Sequence, residues 1–355
     1  MDKYRIDSHK LVFHVGRVHD WMQGKSIYPV YLEISPSGSC NHRCTYCALD
    51  FLGYPSRFLD AGTLKKRLFE MGKLGVKSIM YAGEGEPLLH REIAMILRDT
   101  RKAGIDTALT TNGVLFDKKL CDASLAYLSW IKVSINAGRK YSYAKIHRTK
   151  EEDFDRVIKN MSYAASLKRS KGVKCALGMQ IVLLPENHLE ISLLAKKAKA
   201  IGMDYLVVKP YSQHPLSLTK KFKDIKYGGY LKLAETLQKF NDDKFNVIFR
   251  GHAMNKWDRG EHLYQHCLAL PFWAYMDSAG GVWACSIYLT KAEFCLGNIY
   301  ENTFKEIWGS QKRKKLEIWA KEELDTASCR VNCRMDEANN YLWELTHPAE
   351  HVNFI

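Results

Sequence analysis

Three cysteines within eight residues give this sequence its strongest chemical signal. In CNHRCTYC, Cys40, Cys44 and Cys47 follow a short apolar stretch, and no fourth cysteine stands near them in the chain. Clustered thiolates bind zinc or iron–sulfur clusters in proteins. A structural zinc ion takes four protein ligands, whereas three thiolates leave one metal position open. The spacing therefore predicts a reacting metal centre and favours a [4Fe–4S] cluster with one iron free for a small molecule.

Length and composition restrict the class of protein. The chain has 355 residues, 46% of them hydrophobic, which suffices for one large domain or two. No apolar run approaches the ~18 residues of a membrane span, and the charged start MDKYRIDSHK lacks the apolar core of a secretion signal. These features predict a cytoplasmic protein without membrane contact. There, ten cysteines favour metal or redox chemistry over disulfides.

The net charge of +14 leaves two interpretations open. Lysine clusters such as residues 196–199 and 312–315 are either solvated helix faces or attract an anionic partner. That partner would be a nucleic acid or a phosphorylated substrate. Composition alone does not choose between these interpretations.

A repeated order of helix, glycine and apolar strand predicts the scaffold. Gly75, Gly104 and Gly202 stand where helices need a C-terminal cap, and a continuously apolar segment follows each. Six strands are predicted between about residues 30 and 212, which indicates an α/β barrel or an open doubly wound sheet. Ligands gather at the C-terminal ends of such strands. The cysteine loop, GEGEP, TTNG, SINAG and KPY all follow strands and should meet at one edge.

The later part of the chain changes character. Residues 213–260 read as helical and basic, without a signal for a site. Beyond them, YMDSAGGVWACSI predicts a hairpin around Gly280-Gly281, and five cysteines fall between residues 267 and 333. A second, metal-bearing domain is expected there. Cys121 and Cys175, which stand apart, are expected to be buried core thiols.

The first cysteine loop and its surroundings resemble the radical S-adenosylmethionine (SAM) superfamily. The match consists of the spacing Cys-x3-Cys-x2-Cys, with Tyr46 directly before the last cysteine. This motif follows the first predicted strand, as it does in the family. YAGEGEPLLH resembles the family's glycine–glutamate motif through Gly85 and Glu86, although GEGEP departs from the plainer double-glycine form. The resemblance covers about residues 28–212. It implies a partial (β/α)6 barrel that binds a [4Fe–4S] cluster and SAM.

The resemblance also implies which residues contact SAM. The segment with Glu86 would hold the SAM amino group, because a carboxylate suits an ammonium. Ser134 and Arg148 would serve the ribose and the carboxylate, although Arg148 taken alone reads as a surface residue. Gln180 could face the ribose and Tyr46 the adenine, but a lining role is equally open for both. The predicted SAM-binding set is Tyr46, Gly85, Glu86, Ser134, Asn136, Arg148 and Gln180.

The second cysteine set resembles the auxiliary-cluster domains called SPASM and twitch. Cys267 and Cys285 flank the hairpin, and Cys329 and Cys333 form a C-x3-C pair where such domains often have C-x2-C. The resemblance implies one auxiliary [4Fe–4S] cluster, with a zinc ion as the alternative, because four cysteines suit both. Cys295 remains as a fifth cysteine. It could be a ligand, a buried thiol or a hydrogen-atom donor, and the last role makes it the candidate catalytic residue.

The expected fold class is α/β, with the partial (β/α)6 barrel followed by a small cysteine-rich α+β auxiliary-cluster domain. The expected boundaries are 1–27 for an N-terminal extension, 28–215 for the barrel, 216–260 for a helical connector, 261–340 for the auxiliary domain and 341–355 for a tail.

The function implied by the resemblance is reductive cleavage of SAM to a 5′-deoxyadenosyl radical, with an electron donor such as flavodoxin or ferredoxin. The radical then abstracts hydrogen from the substrate, and oxidation, epimerisation or rearrangement follows. The positive charge favours an anionic substrate of nucleotide or sugar type. Lys209, Tyr211 and Asn112 are candidates for substrate contact.

Other functions remain open from the sequence. The same kind of enzyme could modify a nucleic-acid base or a peptide, although residues 1–27 are too short for a peptide-recruitment domain. A remote alternative is a zinc-dependent nucleic-acid-binding protein without catalysis. It uses the cysteines and the charge, but it does not explain why the glycine- and asparagine-rich motifs follow strands.

Overall fold

A computed structural model describes residues 3–354 and places one ten-stranded sheet at the centre of the chain. The sheet order is β10-β9-β8-β1-β2-β3-β4-β5-β6-β7. Its strands are Tyr31–Ile34 (β1), Ser78–Tyr81 (β2), Asp106–Thr111 (β3), Trp130–Ser134 (β4), Ala176–Val182 (β5), Tyr205–Lys209 (β6), Asn246–Phe249 (β7), Trp273–Met276 (β8), Gly281–Trp283 (β9) and Cys295–Asn298 (β10). The pairs from β8 through β1 to β7 are parallel, and the β8–β9 and β9–β10 pairs are antiparallel.

Helices connect the parallel strands. They are Val15–Met22 (α1), Ala61–Lys73 (α2), Ile93–Lys102 (α3), Lys118–Ser124 (α4), Lys140–His147 (α5), Glu151–Lys171 (α6), Ile191–Ile201 (α7), Leu233–Gln238 (α8), Gly251–Arg259 (α9), Phe304–Gly309 (α10), Gln311–Glu322 (α11) and Asp336–Thr346 (α12). In residues 3–354 none of these helices combines the length and the apolar character that a bilayer crossing requires.

The six predicted strands are confirmed as β1 to β6, and the alternation of strand and helix is the reason that they are parallel. The predicted capping glycines Gly75, Gly104 and Gly202 have φ of +91°, +78° and +89°. This left-handed conformation ends each helix without the steric penalty that a Cβ would add. The open, mostly parallel sheet agrees with the expected partial barrel.

Side-chain alternation along the strands separates two faces of the sheet. On β4, Ile131 and Val133 are fully buried in the main hydrophobic core, on the outer face where the helices pack. Lys132 and Ser134 alternate with them and are only partly buried. We call the face that carries Lys132 and Ser134 the inner face. Its partial exposure indicates that solvent reaches the space inside the curved sheet.

One strand lies where the sequence did not predict it, and another has a partner that the sequence did not predict. Residues 213–260 were expected to be helical, but Asn246–Phe249 forms β7, parallel to β6. Only four residues carry its apolar signal, which is too short to outweigh the helical segments around it. The strand β8, read as one arm of a hairpin, also pairs in parallel with β1. The predicted hairpin itself is confirmed, since β8 and β9 are antiparallel on either side of Gly280, whose φ is +82°.

The candidate metal centres and SAM site

The three cysteines of the first predicted cluster lie on the loop that follows β1: Cys40, Cys44 and Cys47. This loop is held from two sides. The Thr45 N–H donates to the Ile146 carbonyl at the C-terminal end of α5, at 2.9 Å. The Glu86 N–H, in the GEGEP segment, donates to the Ser39 carbonyl at 2.8 Å. The two motifs that the sequence linked only by order along the chain are therefore in direct contact.

Close backbone approach requires glycine at residue 85. A Cβ at Gly85 would lie 2.1 Å from the Ser39 carbonyl oxygen and 2.6 Å from its carbon. Both atoms belong to the backbone, so no rotation of a side chain can relieve the overlap. Gly85 therefore positions the cysteine loop by steric fit.

The loop thiols do not favour ionisation on their own. Burial raises the pKa of Cys40 to about 12 and also raises the pKa values of Cys44 and Cys47. The Cys44 pKa is raised further by the charges of the other two thiolates. The Cys44 Sγ lies 3.3 Å from His147 Nδ1, a contact that orients the thiol. A metal centre would supply the positive charge that three neighbouring thiolates need.

The spacing of the sulfurs fits a cluster better than a single ion. A zinc–sulfur bond of ~2.3 Å keeps two thiolates of one zinc ion within ~4.6 Å. Within the described part of the chain, the one group of three ligand atoms that lie within 4.8 Å of one another is His42, Cys44 and His147. Neither cysteine set is gathered around one ion. Thiolates that bind different irons of one cluster need not approach one another so closely, and the donors of both sets are the free thiols that iron–sulfur clusters take.

Glu86 is an anchor within the protein. Its Oε1 accepts from the Leu88 N–H at 3.1 Å and from the Thr111 hydroxyl, and its Oε2 accepts from the Asn112 N–H at 2.8 Å. Burial raises its pKa, and these hydrogen bonds oppose that rise. The carboxylate thus ties the segment after β2 to the end of β3. Its predicted contact with the SAM ammonium stays a prediction.

Asn136 joins several elements of the predicted SAM site. It is fully buried, with φ of +42°, and its Oδ1 accepts from the Val182 N–H at 2.6 Å. Its Nδ2 donates to the Tyr46 hydroxyl and lies 3.3 Å from His147 Nε2. Tyr46 and Asn136, which the sequence proposed separately, are therefore one hydrogen-bonded unit beside Cys44. The sequence did not predict His147, because no spacing rule connects α5 to the cysteine loop, nor His42, because the cysteine spacing does not specify the residues between the ligands.

The remaining predicted SAM contacts differ in their surroundings. Ser134 and Gln180 are register partners on the inner face, across β4 and β5. Arg148 ends α5 with φ of +49° and is exposed, and its side chain has no hydrogen bond or ion pair within residues 3–354. The structure thus brings Ser134 and Gln180 together but leaves Arg148 beside the site. The role of each towards SAM stays a prediction.

The four predicted auxiliary ligands share one environment: Cys267, Cys285, Cys329 and Cys333. Burial raises the pKa of Cys267 to about 11 and that of Cys329 to about 12, and the nearby Cys333 thiolate raises both further. Cys295 packs against the same hydrophobic cluster as Cys267, Cys285 and Cys333. After burial and a hydrogen bond to the Gly297 carbonyl, the charges that act on its thiol are those of Asp277, Lys312 and Glu301. Cys121 and Cys175 are buried, as predicted.

The segment after β6 also contributes to the cysteine loop, although its sequence gave no site signal. The Asp50 carboxylate accepts from the N–H groups of Leu218 and Thr219, both at 2.8 Å. The Ser217 hydroxyl donates to the Cys47 carbonyl at 3.1 Å. Residues 217–219 therefore fix the C-terminal end of the loop. No local pattern predicts such a contact, because about 170 residues separate the partners.

A buried histidine joins this segment to the auxiliary cysteines. His214 Nδ1 accepts from the Leu216 N–H at 3.1 Å, and Nε2 lies 3.2 Å from the carbonyl of Ser286, the residue after Cys285. This pattern requires the neutral ring with its proton on Nε2. Burial, and secondarily the Arg330 charge, lowers the His214 pKa from 6.5 to about 4.

We expect His214 to make stability depend on pH. Because its folded pKa lies below its unfolded pKa, its contribution is complete above pH 6.5 and is lost as the pH falls towards 4. The loss amounts to at most about 3 kcal/mol. Urea unfolding at several pH values between 7 and 4 gives the free energy of unfolding as a function of pH. His214→Gln should make this free energy depend less on pH, and His19→Gln, on exposed α1, should leave the dependence unchanged. An equal dependence in wild type and His214→Gln would contradict this assignment.

Comparison with known proteins agrees with the fold and the two cysteine sets. Residues 34–198 match the model of the radical SAM superfamily, and residues 267–334 match that of an iron–sulfur cluster-binding domain, SPASM. The GTP 3′,8-cyclase of Chlorobaculum tepidum is 28% identical over 196 residues, 54% of this chain and 57% of that protein. The probable GTP 3′,8-cyclase of Methanocaldococcus jannaschii is 32% identical over 172 residues, 46% of this chain and 51% of that protein. The chain thus spans about half the length of these curated relatives.

A solved structure supports the fold. Streptococcus suis SuiB bound to S-adenosylmethionine superposes with a TM-score of 0.67 at 21% identity, over 86% of this chain and 72% of that one. At this identity the likeness concerns the fold alone. The partial barrel, the three-cysteine loop and the later cysteine set together define an iron–sulfur protein of α/β class. The chain belongs to the radical SAM superfamily and carries a C-terminal SPASM domain, with SAM and iron–sulfur clusters as its cofactors.

Proposed function

We propose that this chain is a radical SAM enzyme that acts on an anionic small molecule of nucleotide or sugar type. The observation that carries the proposal is the position of the cysteine loop. It lies at the C-terminal edge of the parallel sheet, fitted against Gly85 and joined to the end of β4 by the hydrogen bond between Tyr46 and Asn136. This is the edge at which α/β proteins bind ligands.

Cys40, Cys44 and Cys47 would hold the first cluster, and Cys267, Cys285, Cys329 and Cys333 the auxiliary one. When bound, the first cluster with SAM and one electron supplies the 5′-deoxyadenosyl radical that abstracts hydrogen. An electron donor such as flavodoxin or ferredoxin would deliver that electron.

The chain's own residues position the reactants and exclude water. His147 and the Asn136–Tyr46 unit orient the Cys44 thiol, and Glu86 fixes the turn after β2. Ser134, Gln180 and Arg148 are the proposed contacts for the ribose and the carboxylate of SAM. Each of these roles rests on the match of residues to the family motif.

The class of substrate rests on two further observations. The relatives named GTP 3′,8-cyclase support a nucleotide, and the net charge of +14 supports an anion. Because those matches cover about half of each relative, they do not identify the substrate. Cys295 packs against the hydrophobic cluster that Cys267, Cys285 and Cys333 also contact, and its possible roles as ligand, inert thiol or hydrogen-atom donor leave oxidation, epimerisation and rearrangement as candidate outcomes.

The class of substrate can be tested by binding. We expect a free nucleoside triphosphate to bind the reconstituted protein better than single-stranded or duplex nucleic acid of equal nucleotide concentration. Each titration would be repeated at several salt concentrations, since polymer binding loses affinity steeply with salt. Tighter, strongly salt-dependent binding of a polymer would contradict the small-molecule proposal and favour the modification of a nucleic-acid base.

A further inference from the structure

Several cations converge on the inner face of the sheet. Lys132 belongs to β4 and Lys209 ends β6, while Arg250 directly follows β7. Arg330 and Arg334 come from the auxiliary domain, where they flank Cys333 in the chain. The five groups lie within reach of one another's fields, because the charges of the other four all lower the Lys209 pKa, after the larger effect of burial.

Carboxylates balance only part of this charge. Arg334 pairs with Glu33 on β1 at 2.7 Å, and Arg250 pairs with Asp7 at 2.8 Å. Within residues 3–354, the ammonium group of neither Lys132 nor Lys209 has a carboxylate within 4.0 Å or donates a hydrogen bond to another residue. The Lys132 Nζ lies 5.2 Å from the centre of the Trp130 ring, which offsets little of the cost of burying an ammonium.

The negative charge of an auxiliary cluster would balance two arginines of this group but not its two lysines. A cluster with four thiolates would place negative charge beside Arg330 and Arg334, which neighbour its ligands in the chain. Lys132 and Lys209 belong to the barrel strands β4 and β6 and have no such neighbour in sequence. The positive charges of Lys132 and Lys209 therefore need a source of negative charge other than the auxiliary cluster.

Solvent and small solutes can reach these groups. The Arg334 side chain keeps 45% of its surface exposed, although it contacts Glu33 and Met80 on the inner face. Lys132 and Lys209 are also only partly buried, while their strand neighbours Ile131 and Val208 are fully buried. The inner face is therefore accessible to solvent at these side chains. Its apolar part includes Trp130 and the buried Tyr205.

Register relates the lysines to the predicted SAM site. Lys132 is two residues before Ser134 on the same face, a separation of ~6.6 Å along a strand. Val182, next to Lys209 in the register, is two residues beyond Gln180 on β5. The two lysines therefore stand on either side of the Ser134–Gln180 pair, and a ligand that touches both lies alongside the residues predicted to bind SAM. That is where a substrate must lie to react with a radical formed from SAM.

We propose that Lys132 and Lys209 hold a phosphate group of the substrate inside the barrel, between the two cysteine sets. This inference rests on the proposed function, which it narrows from an anion to a phosphorylated metabolite. A diphosphate or triphosphate carries several charges that match several cations, whereas one carboxylate would leave most of them unbalanced. Both lysines are recessed on the inner face, which suits the terminal phosphates of a metabolite.

Calorimetric titration of the reconstituted protein, with SAM present, provides the test. Pyrophosphate is the probe, malonate is the carboxylate control, and ionic strength is held constant. We expect pyrophosphate to bind at least about tenfold more tightly than malonate. Lys132→Met/Lys209→Met should weaken pyrophosphate binding about tenfold or more. Lys119→Met, on the exposed surface of α4, should leave the affinity unchanged.

A second readout separates binding from a structural role. Without ligand, Lys132→Met should raise the melting temperature, because it removes repulsion from the inner face, and pyrophosphate should then stabilise the variant less than the wild type. If the double variant does not fold, Lys209→Gln alone should also weaken pyrophosphate binding and so tests the same contact. Wild-type protein that does not bind pyrophosphate, a double variant that binds like the wild type, or equal binding of malonate would overturn the inference.

The outcome is separable from the proposed function. Formation of 5′-deoxyadenosine without pyrophosphate binding would overturn the phosphate site alone. Pyrophosphate binding that depends on both lysines, in a protein that never cleaves SAM, would support the site and contradict the proposed catalysis.

Discussion

Replacing Cys40, Cys44 and Cys47 together by alanine is expected to abolish SAM cleavage. These thiols are the proposed ligands of the cluster that binds SAM, and they lie on a loop outside the main hydrophobic core. The variant should therefore fold and keep the auxiliary cysteines intact. Its iron content should fall by about four atoms per chain, the content of one [4Fe–4S] cluster. Formation of 5′-deoxyadenosine after reduction with dithionite measures the loss.

The matched control removes thiols that have no predicted ligand role. Cys121→Ala/Cys175→Ala deletes two buried sulfurs and should cost about 1 kcal/mol of stability for each. Iron content and SAM cleavage should stay at the wild-type level. SAM cleavage that survives the triple substitution would show that the first cysteine loop does not hold the reacting centre.

The second large effect is expected from Gly85→Ala. The added methyl group would overlap the Ser39 backbone, with contacts of 2.1 Å and 2.6 Å, so the cysteine loop or the GEGEP segment must move. A displacement of ~1 Å in a catalytic arrangement can cost about 100-fold in rate. We expect a loss of that size in SAM cleavage, with about 1–3 kcal/mol lost in the free energy of unfolding.

Gly16→Ala is the control for this substitution. Nothing lies within 4 Å of a Cβ at Gly16, which belongs to α1 far from the loop in sequence. Alanine should stabilise that helix by about 0.5–1 kcal/mol and leave the rate of SAM cleavage unchanged. Wild-type stability and activity in Gly85→Ala would disprove the steric fit between the two motifs.

Local patterns in the sequence predicted much of the scaffold. The strands β1 to β6 follow from apolar runs after capping glycines, and the hairpin at Gly280-Gly281 follows from its turn. The strand β7 was missed because four apolar residues among helical segments give too little signal. The parallel pairing of β8 with β1 depends on residues about 240 apart, and no local pattern reports it.

In the candidate site too, features set by local sequence were predictable and contacts between distant segments were not. The cysteine spacings were readable because a cluster loop concentrates its ligands in a few residues. His147 beside Cys44, Asp50 beneath residues 217–219 and Glu33 beside Arg334 join distant segments, so only the folded chain reveals them. Lys132 was not among the predicted site residues, because a single lysine in an apolar strand carries no local signal for a site. Its place inside a curved sheet, among other cations, gives it a different meaning.

The most direct test of the central claim is a metal and sulfide analysis of anaerobically reconstituted protein, followed by reduction with SAM present. We expect about eight irons per chain, from two [4Fe–4S] clusters, together with 5′-deoxyadenosine. Zinc in place of iron, with no cleavage of SAM, would contradict it and leave a basic, metal-stabilised binding protein.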